Sequence, residues 1–136
     1  MYQKTVLLFC NAIMTSWEKQ MDYKASKTQQ KILDMMEYGY QAIRNFPKSE
    51  RFSLAQDIRS CMNRELRLVI DVEKAYIKKS TLRDLDSTNA ELQAYVRLSG
   101  NMKLISMHQY EVWSGKLVEI GKMIGGWLHS VSSPNA

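Results

Sequence analysis

Cysteine is nearly missing from this chain. Cys10 and Cys61 are the only two, in dissimilar contexts, and they offer neither a disulfide framework nor a metal-binding spacing. A reducing, cytoplasmic compartment is the expectation that follows. Proline is as scarce, with two residues, and glycine is limited to six, which excludes a loop-rich or disordered chain. No Asn-Gly or Asp-Gly hairpin signal occurs, and Val and Ile fall at helical spacing instead of alternating. Long apolar runs are lacking too. Lys116, Glu119 and Lys122 interrupt the region around Ile120, which argues against a membrane span. Near the start, Val6-Leu7-Leu8-Phe9-Cys10 is broken by Asn11 and no clean small-x-small site follows, which argues against a secretion signal.

What is present is helical periodicity. With 136 residues the chain has room for one core. Ser26 and Gln29 form a capping-box pattern that predicts a helix from about Lys27 to Asn45, with Ile32, Leu33, Met36, Tyr40 and Ile43 as its apolar stripe. Phe46-Pro47 ends it, because proline disfavours helix at the preceding residue and has no amide hydrogen to donate. Ser53 and Gln56 predict a second helix running to Lys78 or Lys79, with Leu54, Ile58, Met62, Leu66, Val69, Val72, Tyr76 and Ile77 on one broad side. A third helix is expected over Leu82 to Leu104, its seam softened by Asn89 and Ser99, which stand either at the rim or as polar selectors of register. Ser106 and Gln109 announce a fourth, running to about Ser130 along Tyr110, Trp113, Leu117, Ile120, Ile124, Trp127 and Val131. The fold class expected is all-α, an antiparallel up-and-down four-helix bundle over residues 21–131. Residues 1–20 read as an extra helix packing Leu7, Phe9 and Trp17 or as a leader outside the bundle. Residues 132–136 read as a disordered tail.

No catalytic constellation emerges. His108 and His129 are twenty-one residues apart with no second ligand at helical spacing, and Asp71 with Glu73, or Asp84 with Asp86, point in different directions on a helix. Neither an enzymatic activity nor a cofactor or metal is expected. Charge is the better signal. Between Arg44 and Arg83 ten Lys or Arg stand against five Asp or Glu, an excess equal to the whole chain's +5. Such a patch neutralises phosphates and gives salt-dependent nucleic-acid affinity, with a merely solvated helix face as the alternative. Arg64, Arg67, Lys74 and Lys78 cluster within a narrow arc opposite the apolar side of the second helix. Arg59, Lys79 and Arg83 complete the set of candidate nucleic-acid-binding residues.

One stretch of the fourth helix holds three glycines, Glu119-Ile120-Gly121-Lys122-Met123-Ile124-Gly125-Gly126-Trp127-Leu128. Each costs roughly 1 kcal/mol relative to alanine in a helix interior. Gly121 and Gly125 share a face, which predicts close packing or assembly there, with Gly126 beside them and Trp127 anchoring the end of the bundle.

Several of these stretches together resemble a known family. Phe46-Pro47-Lys48-Ser49-Glu50-Arg51-Phe52, Ala75-Tyr76, Arg97-Leu98, Gln109-Tyr110 and Glu119 to Trp127 are similar to the four-helix-bundle family that includes the accessory variability determinant (Avd) of diversity-generating retroelements. The resemblance covers roughly Lys27 to Val131. Bundle proteins encoded within ribosomal-RNA intervening sequences share the architecture and form the alternative branch. The Avd resemblance implies a homopentameric barrel with a positive surface. It also implies partners: template RNA or its DNA copy, and the element's reverse transcriptase, whose mutagenic copying the protein supports without an active site of its own. Two departures stand out: Gln93 occupies a position where the family usually has arginine, and residues 1–20 lie outside the shared region.

Overall fold

A computed structural model describes residues 26–132. The expectations for residues 1–20 and for Pro134 onward lie outside these residues. Four helices account for almost all of the described chain: α1 (Lys27–Ile43), α2 (Leu54–Lys74), α3 (Lys79–Asn101) and α4 (Met107–Ser132), with a 3-10 turn at Lys48–Glu50. No strand occurs among the described residues, and α4 continues through Ser132, where a tail was expected.

Each helix packs on the one before it, and α4 closes the ring on α1. Contact pairs fix the directions. Ser26 meets Glu73 and Tyr40 meets Asn63, so α1 and α2 are antiparallel. Lys31 pairs with Glu119 while Gly39 lies against Trp113, so α1 and α4 are antiparallel as well. Gly100 against Tyr110 and Asn89 against Leu117 give the same sense for α3 and α4. The result is the up-and-down four-helix bundle that short connections favour.

The core follows the apolar stripes. Ile32 and Met35 of α1, Ile58, Met62, Val69 and Val72 of α2, Leu82, Leu85, Leu92 and Val96 of α3, and Trp113, Leu117, Ile120 and Ile124 of α4 are fully buried. Burial of each large apolar side chain contributes roughly 1.5–3 kcal/mol. Two members of the expected α2 stripe depart from it. The helix stops at Lys74, with Ala75 extended, so Tyr76 and Ile77 stand in the connection, 100% and 77% exposed. Lys78 explains the early stop, because its Nζ donates to the Val72 carbonyl at 2.9 Å and satisfies an end-of-helix acceptor. On the remaining helical stripe Leu66 is only half-buried, and the fully buried position beside it is Glu65.

The polar seam of α3 is interior, not rim. Asn89 and Ser99 are buried; Asn89 Nδ2 donates to the Leu117 carbonyl at 3.1 Å and the Ser99 hydroxyl to the Tyr95 carbonyl at 2.8 Å.

Among the described residues the closest approach to a glycine is at Gly39. A Cβ at Gly125 or Gly126 would meet nothing within 4 Å, whereas one at Gly39 would lie 2.7 Å from Met62 Sδ and 2.9 Å from Trp113 Cζ2. Gly39 therefore makes room for Trp113, the largest fully buried side chain. At Gly121 a Cβ would press on Asn89 Nδ2 at 3.1 Å, so half of the expected glycine face is a packing position within the bundle.

Candidate nucleic-acid interface

The two ends of α2 divide the basic residues. Arg59 stands one turn into α2, beside the α1–α2 connection, and Lys74 lies in its last turn, roughly 22 Å away at 1.5 Å per residue. Because α2 ends at Lys74, Lys78 becomes the residue preceding α3, and Lys79 and Arg83 fall in the first turns of α3. The expected single stripe is thus a short row on α2 plus a cluster around the α2–α3 connection.

Pairing sorts the candidates further. Arg64 Nη2 lies 2.7 Å from Glu91 Oε2 on α3, and Arg67 Nε 3.3 Å from Asp71 Oδ1 one turn along α2. Both pairs are largely solvent-exposed, so each contributes little to stability but offsets the local positive potential. Lys78 is engaged twice, by the Val72 carbonyl and by the Trp127 ring, whose centroid is 5.6 Å from Nζ. Arg59 Nη2 donates to the Arg51 carbonyl at 2.8 Å and to Gln56 Oε1 at 3.1 Å, without a carboxylate partner among the described residues. Lys74, Lys79 and Arg83 are exposed, and none makes a salt bridge with another described residue. Of the seven candidates these three are the ones left available to a phosphate backbone, and Tyr76, in the connection between Lys74 and Lys79, is fully exposed.

Trp127 is half-buried with Lys78 Nζ over its ring, while Gly125 and Gly126 present bare backbone on the exposed side of α4.

Cys61 is buried, its thiol donates to the Thr88 carbonyl at 3.6 Å, and burial pushes its pKa up to about 11, so it stays protonated and unreactive at neutral pH. Glu65 is 0% exposed, neither of its carboxylate oxygens has a hydrogen-bond partner, and burial raises its pKa to about 8. Its position was readable in the sequence, since Ile58, Met62, Glu65, Val69 and Val72 follow three-four spacing. Arg44, Arg51 and Phe52 were part of the charge excess and of the turn motif without being singled out as a site. The structure brings them together with Arg59 around one cleft.

His108 and His129 are both exposed, in the first and last turns of α4. Among the described residues no group of three His, Cys, Asp or Glu stands close enough to hold a metal ion. No described helix is long and apolar enough to cross a membrane.

Comparison with known proteins gives one positive result. No curated protein matches the chain. A family model described as bAvd-like matches residues 27–131, which takes in all four helices up to the last residue of α4, and the chain therefore belongs to the bAvd-like family, as an Avd-type protein.

Proposed function

We propose that this protein is the non-catalytic accessory factor of a diversity-generating retroelement. It binds template RNA or its DNA copy and the element's reverse transcriptase, and supports mutagenic copying as a homopentamer. Family membership supports the accessory role. The observation that carries nucleic-acid binding is the group Lys74, Lys79 and Arg83 around the α2–α3 connection, exposed and without an ion pair among the described residues, next to an aromatic ring fully open to solvent. Exposed cations of this kind release counterions from phosphates, and an exposed ring offers a stacking surface for an unpaired base. Repetition of the patch by an oligomer raises the effective concentration for each further contact.

The test is a salt titration of RNA affinity. Replacing Lys74, Lys79 and Arg83 by alanine is expected to lower the slope of log affinity against log salt by roughly 0.7 per lost phosphate contact on single strands. Replacing Arg64 and Arg67, whose charges are already paired, is expected to change it less. An unchanged slope in the first variant would overturn the assignment. The ion pairs at Arg64 and Arg67 favour a second reading, in which the bundle docks a protein partner and its charge is incidental. Co-purification with a reverse transcriptase at high salt, with no retained RNA, would support that one.

A further inference from the structure

The α1–α2 connection builds a cleft that the basic cluster at the other end does not include. Phe46 is buried and pins the connection to the core, Pro47 stops α1, and the 3-10 turn at Lys48–Glu50 carries the chain back over the end of the bundle. This path brings Arg44, at the end of α1, together with Arg51 and Phe52, before α2, and Arg59, one turn inside it. The cleft has a volume of about 350 Å³, with Tyr40 and Ile43 in its wall and no acidic residue in its lining.

Three features distinguish it from an ordinary solvated surface. First, three arginines line one concavity without an acidic residue among its lining, and neither Arg44 nor Arg51 makes a salt bridge with a described residue. Glu50, the nearest acid in sequence, accepts a hydrogen bond from the Ser53 hydroxyl at 2.8 Å and is not part of the lining. Second, Arg59 is held in place by the Arg51 carbonyl across eight residues, so one cation of the lining is tethered. Third, the Phe52 ring is 87% exposed beside these cations, a costly placement for a side chain that could have joined Phe46 in the core.

Guanidinium is the planar, multi-donor partner of phosphate oxygens, and an exposed ring is a platform for a base. The volume lies at the small end of ligand sites and suits one nucleotide, not a duplex. The adjoining groove along α1 shares Tyr40 and Arg44 but carries Asp34 and Glu37, whose charge repels a phosphate chain. A strand held here therefore leaves over the α2 side.

We infer that the cleft formed by Arg44, Arg51, Arg59 and Phe52 holds one unpaired nucleotide of a bound RNA strand, its phosphate on the arginines and its base on the Phe52 ring. The inference rests on the reading that the protein binds nucleic acid, and adds a discrimination that the cluster at Lys74, Lys79 and Arg83 does not supply: single strand over duplex.

The experiment measures, by fluorescence anisotropy at fixed salt, the affinity of the full chain for a labelled unstructured RNA strand and for a blunt RNA duplex. Phe52→Leu is expected to weaken single-strand binding roughly 10-fold, the value of one lost base stack, and to leave duplex binding unchanged. Phe52→Trp is expected to keep wild-type affinity, since any aromatic face stacks, and Arg44→Ala with Arg51→Ala to flatten the single-strand salt dependence. All three substituted positions are exposed, and thermal unfolding serves to confirm that each variant is folded. Wild-type single-strand affinity in Phe52→Leu overturns the cleft while leaving nucleic-acid binding at the other cluster intact. Failure of the wild-type chain to bind either RNA overturns both. Binding of an acidic peptide that depends on Phe52, with RNA binding that does not, assigns the cleft to a protein partner and overturns the inference.

Discussion

Glu65 is the residue with the most unusual environment. It occupies a core position of α2 between Met62 and Val69, and neither oxygen is hydrogen-bonded. Burial alone lifts its pKa from the ordinary 4.5 to about 8, so at neutral pH the folded chain carries it mostly protonated. The sign of its pH effect follows from proton counting. Between about 4.5 and 8 the folded state holds a proton that the unfolded state has lost, so the stability of the fold falls as pH rises through that window. Below the window both states are protonated, and above it both are ionised. The expected result is a melting temperature that declines from pH 5 to pH 8 in the wild type and is nearly flat in Glu65→Leu. The variant should be more stable by roughly 1–3 kcal/mol near neutral pH, the usual cost of a buried polar group without a partner. A wild-type profile as flat as the variant's would refute this. Periodicity made the position of Glu65 legible, but not its choice over Leu66. A helical wheel places both near the core, and only the packing of α3 and α1 decides which one is sealed.

At the scale of elements, the caps show what sequence can and cannot give. Ser106 and Gln109 make the full reciprocal box: Gln109 N donates to Ser106 Oγ at 3.1 Å, and Ser106 N to Gln109 Oε1 at 2.9 Å. Ser26 makes only its own half, accepting from Gln29 N at 3.1 Å, because Glu73 at the end of α2 takes the bond from Ser26 N at 3.3 Å. That carboxylate complements the positive end of α1 and ties two helices together. Ser53 does not cap α2; its hydroxyl donates to Glu50 and the weak contact to the Ser49 carbonyl is 3.5 Å, a consequence of the 3-10 turn that no local pattern announced. The end of α3 was equally hidden. Leu104 N donates to the Ser99 carbonyl and Lys103 N to the Gly100 carbonyl, a Schellman closure in which Lys103 takes φ 58°. Glycine is the residue that marks such an end, and lysine there is strained by roughly 1–2 kcal/mol. Lys103→Gly is therefore expected to raise stability by about 1 kcal/mol, read as a higher midpoint in urea at unchanged slope. A lower midpoint would show that the closure is not the source of strain.

For the whole molecule, the proposed assembly turns on the glycines at the end of α4. Gly121 is accounted for within one chain by Asn89, but Gly125 and Gly126 are exposed and a Cβ at either would enter open space. Alanine at each would gain roughly 1 kcal/mol of helix propensity, so a single bundle has no packing reason to keep glycine there. In the proposed oligomer the contact that offsets this cost comes from a neighbouring protomer, to whose helix the bare backbone offers close approach. The same end of α4 carries Trp127, whose ring lies under Lys78 of the α2–α3 connection. Sedimentation velocity separates the two roles. Gly125→Leu is expected to keep its helical content and melting cooperativity but to sediment as a smaller species, because the added side chain blocks a neighbour and nothing in its own chain. Its RNA affinity should fall with the loss of repeated patches, while the salt dependence per protomer is retained. If Gly125→Leu sediments as the wild type does, the glycines do not form an assembly face, and the +5 charge of each chain acts on nucleic acid without multiplication by contacts at this surface.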